Sequence, residues 1–206
     1  MRLRKGELRK GEQTRAAILV AAINRFGRDG YRATSVADIA RDASVGGTVA
    51  YAYFPNKEAL FLSAVDIDAA AVIHEGLSSV MDSGTVQDWR QALFFTLAGA
   101  LDGHPLARRL LAGLEPDETG RVLDIPALNE LRKACAERIR AEQRAGTVRG
   151  DIDPIEIGNG IVAIVLSLLM SVVQIGPDAT APYAGDVAAV FEAALSPLLV
   201  PVGAAS

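Results

Sequence analysis

The sequence predicts an all-α chain in which a small helical module precedes a larger helical body. Three observations carry this. Apolar residues recur at spacings of three and four along most of the 206 residues, the period of a helix face. No apolar/polar alternation persists long enough to make a strand. Glycine and proline gather between the apolar stripes, where helices stop and start.

The elements follow in order. Residues 3–7 and 8–12 repeat LRKGE. A glycine in each copy argues against a stable helix, and the charge density favours a solvated arm over 1–12. Such an arm either follows a phosphate backbone or is a frayed terminus. From Gln13 the period turns helical, with Ile18, Leu19, Ala22, Ile23 and Phe26 on one stripe that Gly27 and Gly30 close. Ser35, three places before Asp38, reads as a capping-box-like start. Val36, Ile39, Ala40 and Ala43 then give a helix of about eight residues, broken by Ser44, Gly46 and Gly47. A third short helix lies between Gly47 and Phe54, because Pro55 disfavours helix at the residue before it. Asn56 caps a fourth that runs through Leu60, Phe61, Ala64 and Val65 into the seventies. Two short helices around a tight glycine-containing turn, supported by a third, form a helix-turn-helix.

Further helices are expected at Val86–Asp102, near His104–Gly113, and at Pro126–Ala145. The pair Pro154–Gln174 and Tyr183–Leu199 is joined by the Gly- and Pro-containing IGPDATAP. The former is apolar nearly all round from Ile161, so burial on most sides is expected. Gly158, Gly160, Ala163 and Ser167 permit close helix approach. Two such helices exceed what one small domain hides, so a homodimer interface is expected, with burial inside one chain as the alternative.

Charge is uneven. Residues 1–60 carry 11 Lys or Arg against 6 Asp or Glu, a net of +5. The remainder carries 10 against 19, a net of −9, within an overall −4. A basic module on an acidic body faces a polyanion, either nucleic acid or an anionic membrane surface. One cysteine, Cys135, excludes a disulfide within the chain and a cysteine-based zinc cluster. The basic start has no apolar run behind it, so no signal peptide is expected. The longest apolar stretch, Ile161–Ile175, falls short of the roughly 20 residues of a membrane span. A cytoplasmic protein is expected.

The segment TSVADIARDASVGGTVAYAYFPNKEALF, residues 34–61, resembles the TetR family of bacterial transcriptional regulators. The resemblance rests on Thr34, Ser35, Ile39, Ala40, Val45, Tyr51, Tyr53, Phe54, Lys57, Glu58 and Leu60 and covers about a quarter of the chain. It implies a DNA-binding domain over 13–62 and a ligand-binding and dimerisation domain over 63–206. The family pattern at the turn is Gly-Val-Ser-x-Gly-Thr, where this chain has Ser44-Val45-Gly46-Gly47-Thr48-Val49. Glycine tolerates whatever the turn needs, but the side chains offered to bases are smaller and more apolar. Ala52 offers no hydrogen bond.

The resemblance places Tyr51 on the DNA face. Tyr51 and Tyr53 offer hydroxyls to phosphate and ring faces to thymine methyls, or serve as core aromatics. Thr34 and Ser35 are expected to give a hydroxyl and backbone amides to phosphate, or Ser35 only caps its helix. Gly47, Thr48 and Val49 fall where bases are read in the major groove. Lys57 stands in a helix's first turn, where a cation is disfavoured by roughly 0.3–1 kcal/mol unless an anion sits at that terminus.

In the body, the cluster Trp89, Phe94 and Phe95 lines a ligand pocket or fills a core. His104 and Arg108, beside Arg109, hold an anion or form a solvated face. Met170 and Gln174 are further pocket candidates, because a glutamine on an apolar helix needs a partner. His74 and His104 are too far apart for a metal motif, and Gly46-Gly47-Thr48 is no phosphate loop. No catalysis, metal or cofactor is expected. The expected partners are an operator in double-stranded DNA, a second copy through helices 154–174 and 183–199, and a small apolar ligand. A DNA-binding module without an effector, and a helical lipid-binding or scaffold protein, are the alternatives.

Overall fold

The computed structural model describes residues 5–81, 89–117 and 125–197, with side chains from residue 10 onward except those of 79 and 81. These residues form helices and no strands: α1 Lys5–Ala33, α2 Val36–Asp42, α3 Gly47–Tyr53, α4 Lys57–Met81, α5 Trp89–Ala100, α6 Pro105–Leu111, α7 Pro126–Arg144, α8 Pro154–Ile175 and α9 Pro177–Leu195. A 3-10 turn, Leu101–Gly103, links α5 to α6. Val86–Asp88 of the expected fifth helix, and Leu198–Leu199 of the last, lie outside the described residues.

Packing divides the chain into two compact units, Met1–His74 with Gly99–Pro126, and Glu75–Ala98 with Ala127–Ser206. The motif boundary expected after residue 62 is therefore not where packing divides: α4 runs on to His74 in the first unit, and 99–126 return to it.

The first unit is built on an aromatic cluster. Phe26 and Phe61 meet edge to face at 5.0 Å, and Tyr31 closes on Phe61 at 4.9 Å. Ile18, Ile39, Leu60 and Leu106 are fully buried around them. Each such side chain contributes roughly 1.5–3 kcal/mol relative to exposure. Gly27 lies inside α1 and does not end it; it marks a close approach to α6, where a β-carbon would come within 2.7 Å of Pro105 Cβ. The helix breaks at Gly30 (φ 82°, ψ 169°). There the amide of Tyr31 donates to Glu115 Oε1 at 3.0 Å, and Arg109 Nε donates to the same oxygen at 2.7 Å.

One expectation about the start of the chain changes. The basic repeat is helical from Lys5, so 5–12 are not a disordered arm. Glycine costs about 1 kcal/mol in a helix interior but does not terminate it, and Lys, Arg, Leu and Glu are good helix formers. A helix nucleated by the apolar stripe propagates back through them.

In the second unit Trp89 is 1% exposed, with Nε1 donating to Glu142 Oε1 at 2.9 Å. Leu93, Leu131, Cys135, Ile139 and Ile161 complete the core. Gly158 lets α8 cross α7 closely, since a β-carbon would stand 2.8 Å from the Ala136 nitrogen.

α8 is not buried on most sides. Gly158, Ile161, Val162, Val165 and Leu169 are covered, while Ala163, Ser167, Gln174 and Ile175 are exposed. By length and composition this 22-residue helix could cross a membrane; its most apolar 18-residue window has mean hydropathy 2.0, and 28% of that window is buried. α9 starts six residues earlier than expected, since Gly176 alone breaks the chain and Pro177 takes the helix's first position, where a missing N–H costs nothing. Pro182 sits inside it. Most of α9 is exposed, including Tyr183 and Val190.

Candidate nucleic-acid interface

The site is assembled by three local devices. Ser35 caps α2: its hydroxyl accepts from the Asp38 amide at 3.1 Å and donates to the Asp38 carboxylate at 2.7 Å. Asn56 Oδ1 caps α4 by accepting from Ala59 N at 2.7 Å. Between them, α2 closes in a Schellman turn. Ser44 N donates to Arg41 O and Val45 N to Ala40 O, with Ser44 in the left-handed region at φ 56°. The same hydrogen-bond pattern ends α6 and α7, with Gly113 (φ 70°) and Gly146 (φ 74°) in that position. The expectation that glycine serves the turn's special conformation is therefore corrected. Gly46 is extended (φ −68°, ψ 145°) and Gly47 helical, while a serine takes the strained place.

α3 presents nearly all of itself to solvent. Of its seven residues only Ala50 is buried, with Phe54 anchoring its end. Gly47, Thr48, Val49, Tyr51 and Ala52 are exposed together, Tyr51 at 54%. An exposed tyrosine beside a valine, on a helix held by one alanine, is a surface shaped for contact rather than for a core. Tyr53 is half-buried, and a β-carbon on Gly11 of α1 would stand 3.5 Å from its hydroxyl.

Charge is sorted sharply here. Arg25 holds Asp42 through two hydrogen bonds, at 2.6 and 3.0 Å. Arg28 holds Asp29, Arg41 holds Asp38 at 3.0 Å, and Arg32 lies 3.5 Å from Asp117. The hydrogen bond from Arg25 keeps the Asp42 carboxyl below its ordinary range, and Arg28 does the same for Asp29. Asp38 is lowered first by the Ser35 hydroxyl and further by Arg25 and Arg41. Among the described side chains of α1 to the start of α4, the cations without a carboxylate partner are Lys10, Arg15 and Lys57. Arg15 lies over the Phe54 ring at 5.2 Å, and Lys57 over the Tyr31 ring at 4.4 Å, close to the Arg32 carbonyl. Two of these cations, Arg15 and Lys57, thus lie beside the C-terminal end of α3 and the start of α4.

Of the residues expected to meet DNA, the structure brings Ser35, Gly47, Thr48, Val49, Tyr51, Tyr53 and Lys57 to or near the surface. Thr34 is a correction. It is 3% exposed, and its hydroxyl donates to the Gly30 carbonyl at 2.8 Å, so its side chain locks the kink in α1. Lys10 falls within the basic stretch expected to follow a phosphate backbone, here helical instead of a coil, while Arg15 is not among the expected contacts. Helical spacing from Ile18 backwards was the available signal.

The seven ligand candidates do not form one site. His104 and Arg108 belong to the first unit, where His104 is largely covered and Arg108 lies on a solvated face. His104 Nδ1 lies 2.8 Å from Asp68 Oδ1, and Arg108 pairs with Asp102 at 3.2 Å. The expected anion site at these residues is thereby corrected. Trp89 is core. Phe94 and Phe95 line a groove of about 170 Å³ in the second unit with Val165, Leu168, Val187 and Phe191. Arg90, Ala188 and Phe191 continue into a wider hollow of about 700 Å³ that also touches Arg138, Glu142 and Glu192. Met170 and Gln174 line neither. Among the described residues no group of three or more His, Cys, Asp or Glu could hold a metal.

Comparison with known proteins agrees with this geometry. Residues 18–64 match the family model described as bacterial regulatory proteins, tetR family. No curated protein matches the chain. A TetR-family transcriptional regulator from Pectobacterium atrosepticum superposes with a TM-score of 0.70 at 20% identity, over 94% of this chain and 98% of that one. A protein assigned to the same family from Mesorhizobium loti gives 0.71 at 20% identity, over 90% and 98%. A Thermus thermophilus TetR-family repressor, solved with lauroyl-CoA, gives 0.60 at 21% identity, over 93% and 98%.

Proposed function

We propose that the chain, whose residues 18–64 match the model of the tetR family of bacterial regulatory proteins, acts as a homodimeric repressor that a small ligand releases from a near-palindromic operator. The observation that carries this reading is the exposed face of α3, with Tyr51, Val49 and Thr48 outward, beside cations that have no carboxylate partner. A seven-residue helix of this kind fits a major groove, with its side chains on base edges and Lys57 and Ser35 on phosphates. The module is small and basic, and nucleic-acid affinity scales with the phosphates neutralised.

Dimerisation is proposed through α8 and α9, which leave Ala163, Ser167, Tyr183 and Val190 exposed among the described residues. Two reading helices then bind half-sites about 34 Å apart. The proposed effector lies in the groove between Phe94, Phe95, Val187 and Phe191. It is mainly apolar, with a polar group toward Arg90 and Arg138. The Thermus relative shares the fold, so this ligand class is read from the residues of the groove here. Release requires the ligand to bind the DNA-free form more tightly, and α4, which contributes to both units, is the proposed lever.

The test is equilibrium binding of wild-type, Tyr51→Ala and Lys57→Ala proteins to a duplex that the wild type selects. Each substitution is expected to weaken binding by about 1 kcal/mol or more. Binding unchanged in both would reject the interface, and liposome binding unaffected by Tyr51→Ala would favour the lipid reading.

A further inference from the structure

α1 does more than support the helix-turn-helix. We propose that its N-terminal turns are a second DNA-contacting element, a helical arm that carries Lys10 and Arg15 onto phosphates flanking the stretch met by α3. This inference rests on the DNA-binding reading above and adds an element that the matched residues 18–64 do not include.

Three observations converge. First, the other arginines described in this module, Arg25, Arg28, Arg32 and Arg41, are each engaged by an aspartate, whereas Lys10 and Arg15 have no carboxylate partner among the described residues. Second, α1 passes the end of α3 at this stretch. Gly11 approaches the Tyr53 hydroxyl, and Arg15 lies 5.2 Å above the ring of Phe54, the residue that caps α3. Third, the backbone is already helical from Lys5, so the arm is delivered as a rod and not as a tail. The helix from Arg15 back to Lys5 adds about 15 Å at 1.5 Å per residue. That is the rise of about four base pairs, at 3.4 Å each. Cations on a preformed helix lose less freedom on binding than cations on a coil, because the ordering cost is met during folding.

The chemistry is that of the phosphodiester backbone. Neither cation is placed to read a base, so the arm adds affinity and register without sequence preference.

The experiment uses the full chain and the salt dependence of its binding to a selected duplex. The double variant Lys10→Gln/Arg15→Gln is expected to lower the slope of log K against log salt by about 1.8 per protomer, at about 0.9 for each phosphate no longer neutralised. The order of affinities across duplex sequences is expected to stay the same. Lys10→Gln alone, which removes a cation with no carboxylate partner among the described residues, is expected to give half that change. Gly11→Pro keeps every charge but interrupts the rod and is expected to lose the share of Lys10. Thermal unfolding of each variant separates any packing effect of Arg15, since a packing defect does not change a salt slope.

An unchanged slope in the double variant overturns the proposal, as does a Gly11→Pro protein that binds like the wild type. Loss of liposome binding with an unchanged DNA slope also overturns it and assigns the arm to membranes. If the wild type itself selects no duplex, the DNA-binding reading fails instead, so the two failures are distinguishable.

Discussion

Replacing Asp68 removes a carboxylate that closes the start of α6 from another helix. Asp68 is 3% exposed. Its Oδ2 accepts from the amides of Leu106 and Ala107, each at 2.9 Å, and its Oδ1 faces His104 Nδ1 at 2.8 Å. Those two amides are among the first N–H groups of α6, which have no partner within the helix. The residue that precedes α6, His104, supplies no side-chain cap of its own. Asp68→Ala therefore strands two buried donors, each at about 1–3 kcal/mol. A total loss of roughly 3–5 kcal/mol is expected, near the value for breaking a buried charged pair. Asp68→Asn keeps one oxygen for the amides and turns charge-assisted bonds into neutral ones of about half the strength, so a loss of about 1–2 kcal/mol is expected. Urea unfolding of both variants measures the ladder. A loss below about 1 kcal/mol for the alanine variant would show that this carboxylate does not hold α6, and would refute the reasoning.

Other consequences follow from the same accounting. Ser44→Gly relieves a left-handed serine and is expected to raise stability by about 1 kcal/mol, while Gly46→Ser adds the missing α3 cap and is expected to gain a few tenths; both are read by denaturant midpoint, and a loss in either would overturn the turn assignment. Asp29, Asp38 and Asp42 have carboxyl groups held below the ordinary value, so their contribution is present above the unfolded value of 3.8 and disappears as pH falls through the lowered folded values. The unfolding midpoint is therefore expected to stay level near neutrality and fall in acid, with a shallower acid limb in Asp42→Asn. Burial pushes the Cys135 thiol up to about 12, so it is expected to resist an aromatic disulfide reagent at pH 8 and to react once urea unfolds the chain. Val190→Glu in α9, at a position 61% exposed in the single chain, is expected to leave the fold intact and yield monomers by sedimentation; unchanged dimers would place the interface elsewhere.

What was legible in the sequence was what is decided locally. Ser35 with Asp38, Asn56 before α4, and proline at the starts of α7 and α8 each fix a helix end through one side chain, and the structure has those ends. The apolar stripe from Ile18 to Phe26 likewise buries Ile18, Leu19, Ala22 and Phe26. What failed depended on partners distant in sequence. Thr34 looks like a surface hydroxyl until the kink at Gly30 offers it a carbonyl. His104 and Arg108 look like an anion site until Asp68 and Asp102 occupy them. Gly27 reads as a stop signal because nothing local shows that Pro105 will press against it. For α8, expected to be buried on most sides, apolar composition states that a face needs covering but not whether the same chain covers it.

The central claim is that α3 reads sequence in duplex DNA. A genome-wide binding selection with the purified wild type and Tyr51→Ala, run at two salt concentrations, tests it most directly. The account predicts one enriched near-palindrome for the wild type, a steep salt dependence, and loss of that enrichment in Tyr51→Ala while weak, salt-labile binding to any duplex persists. Equal recovery of the same sequence by both proteins, or no enriched sequence with the wild type, would contradict it.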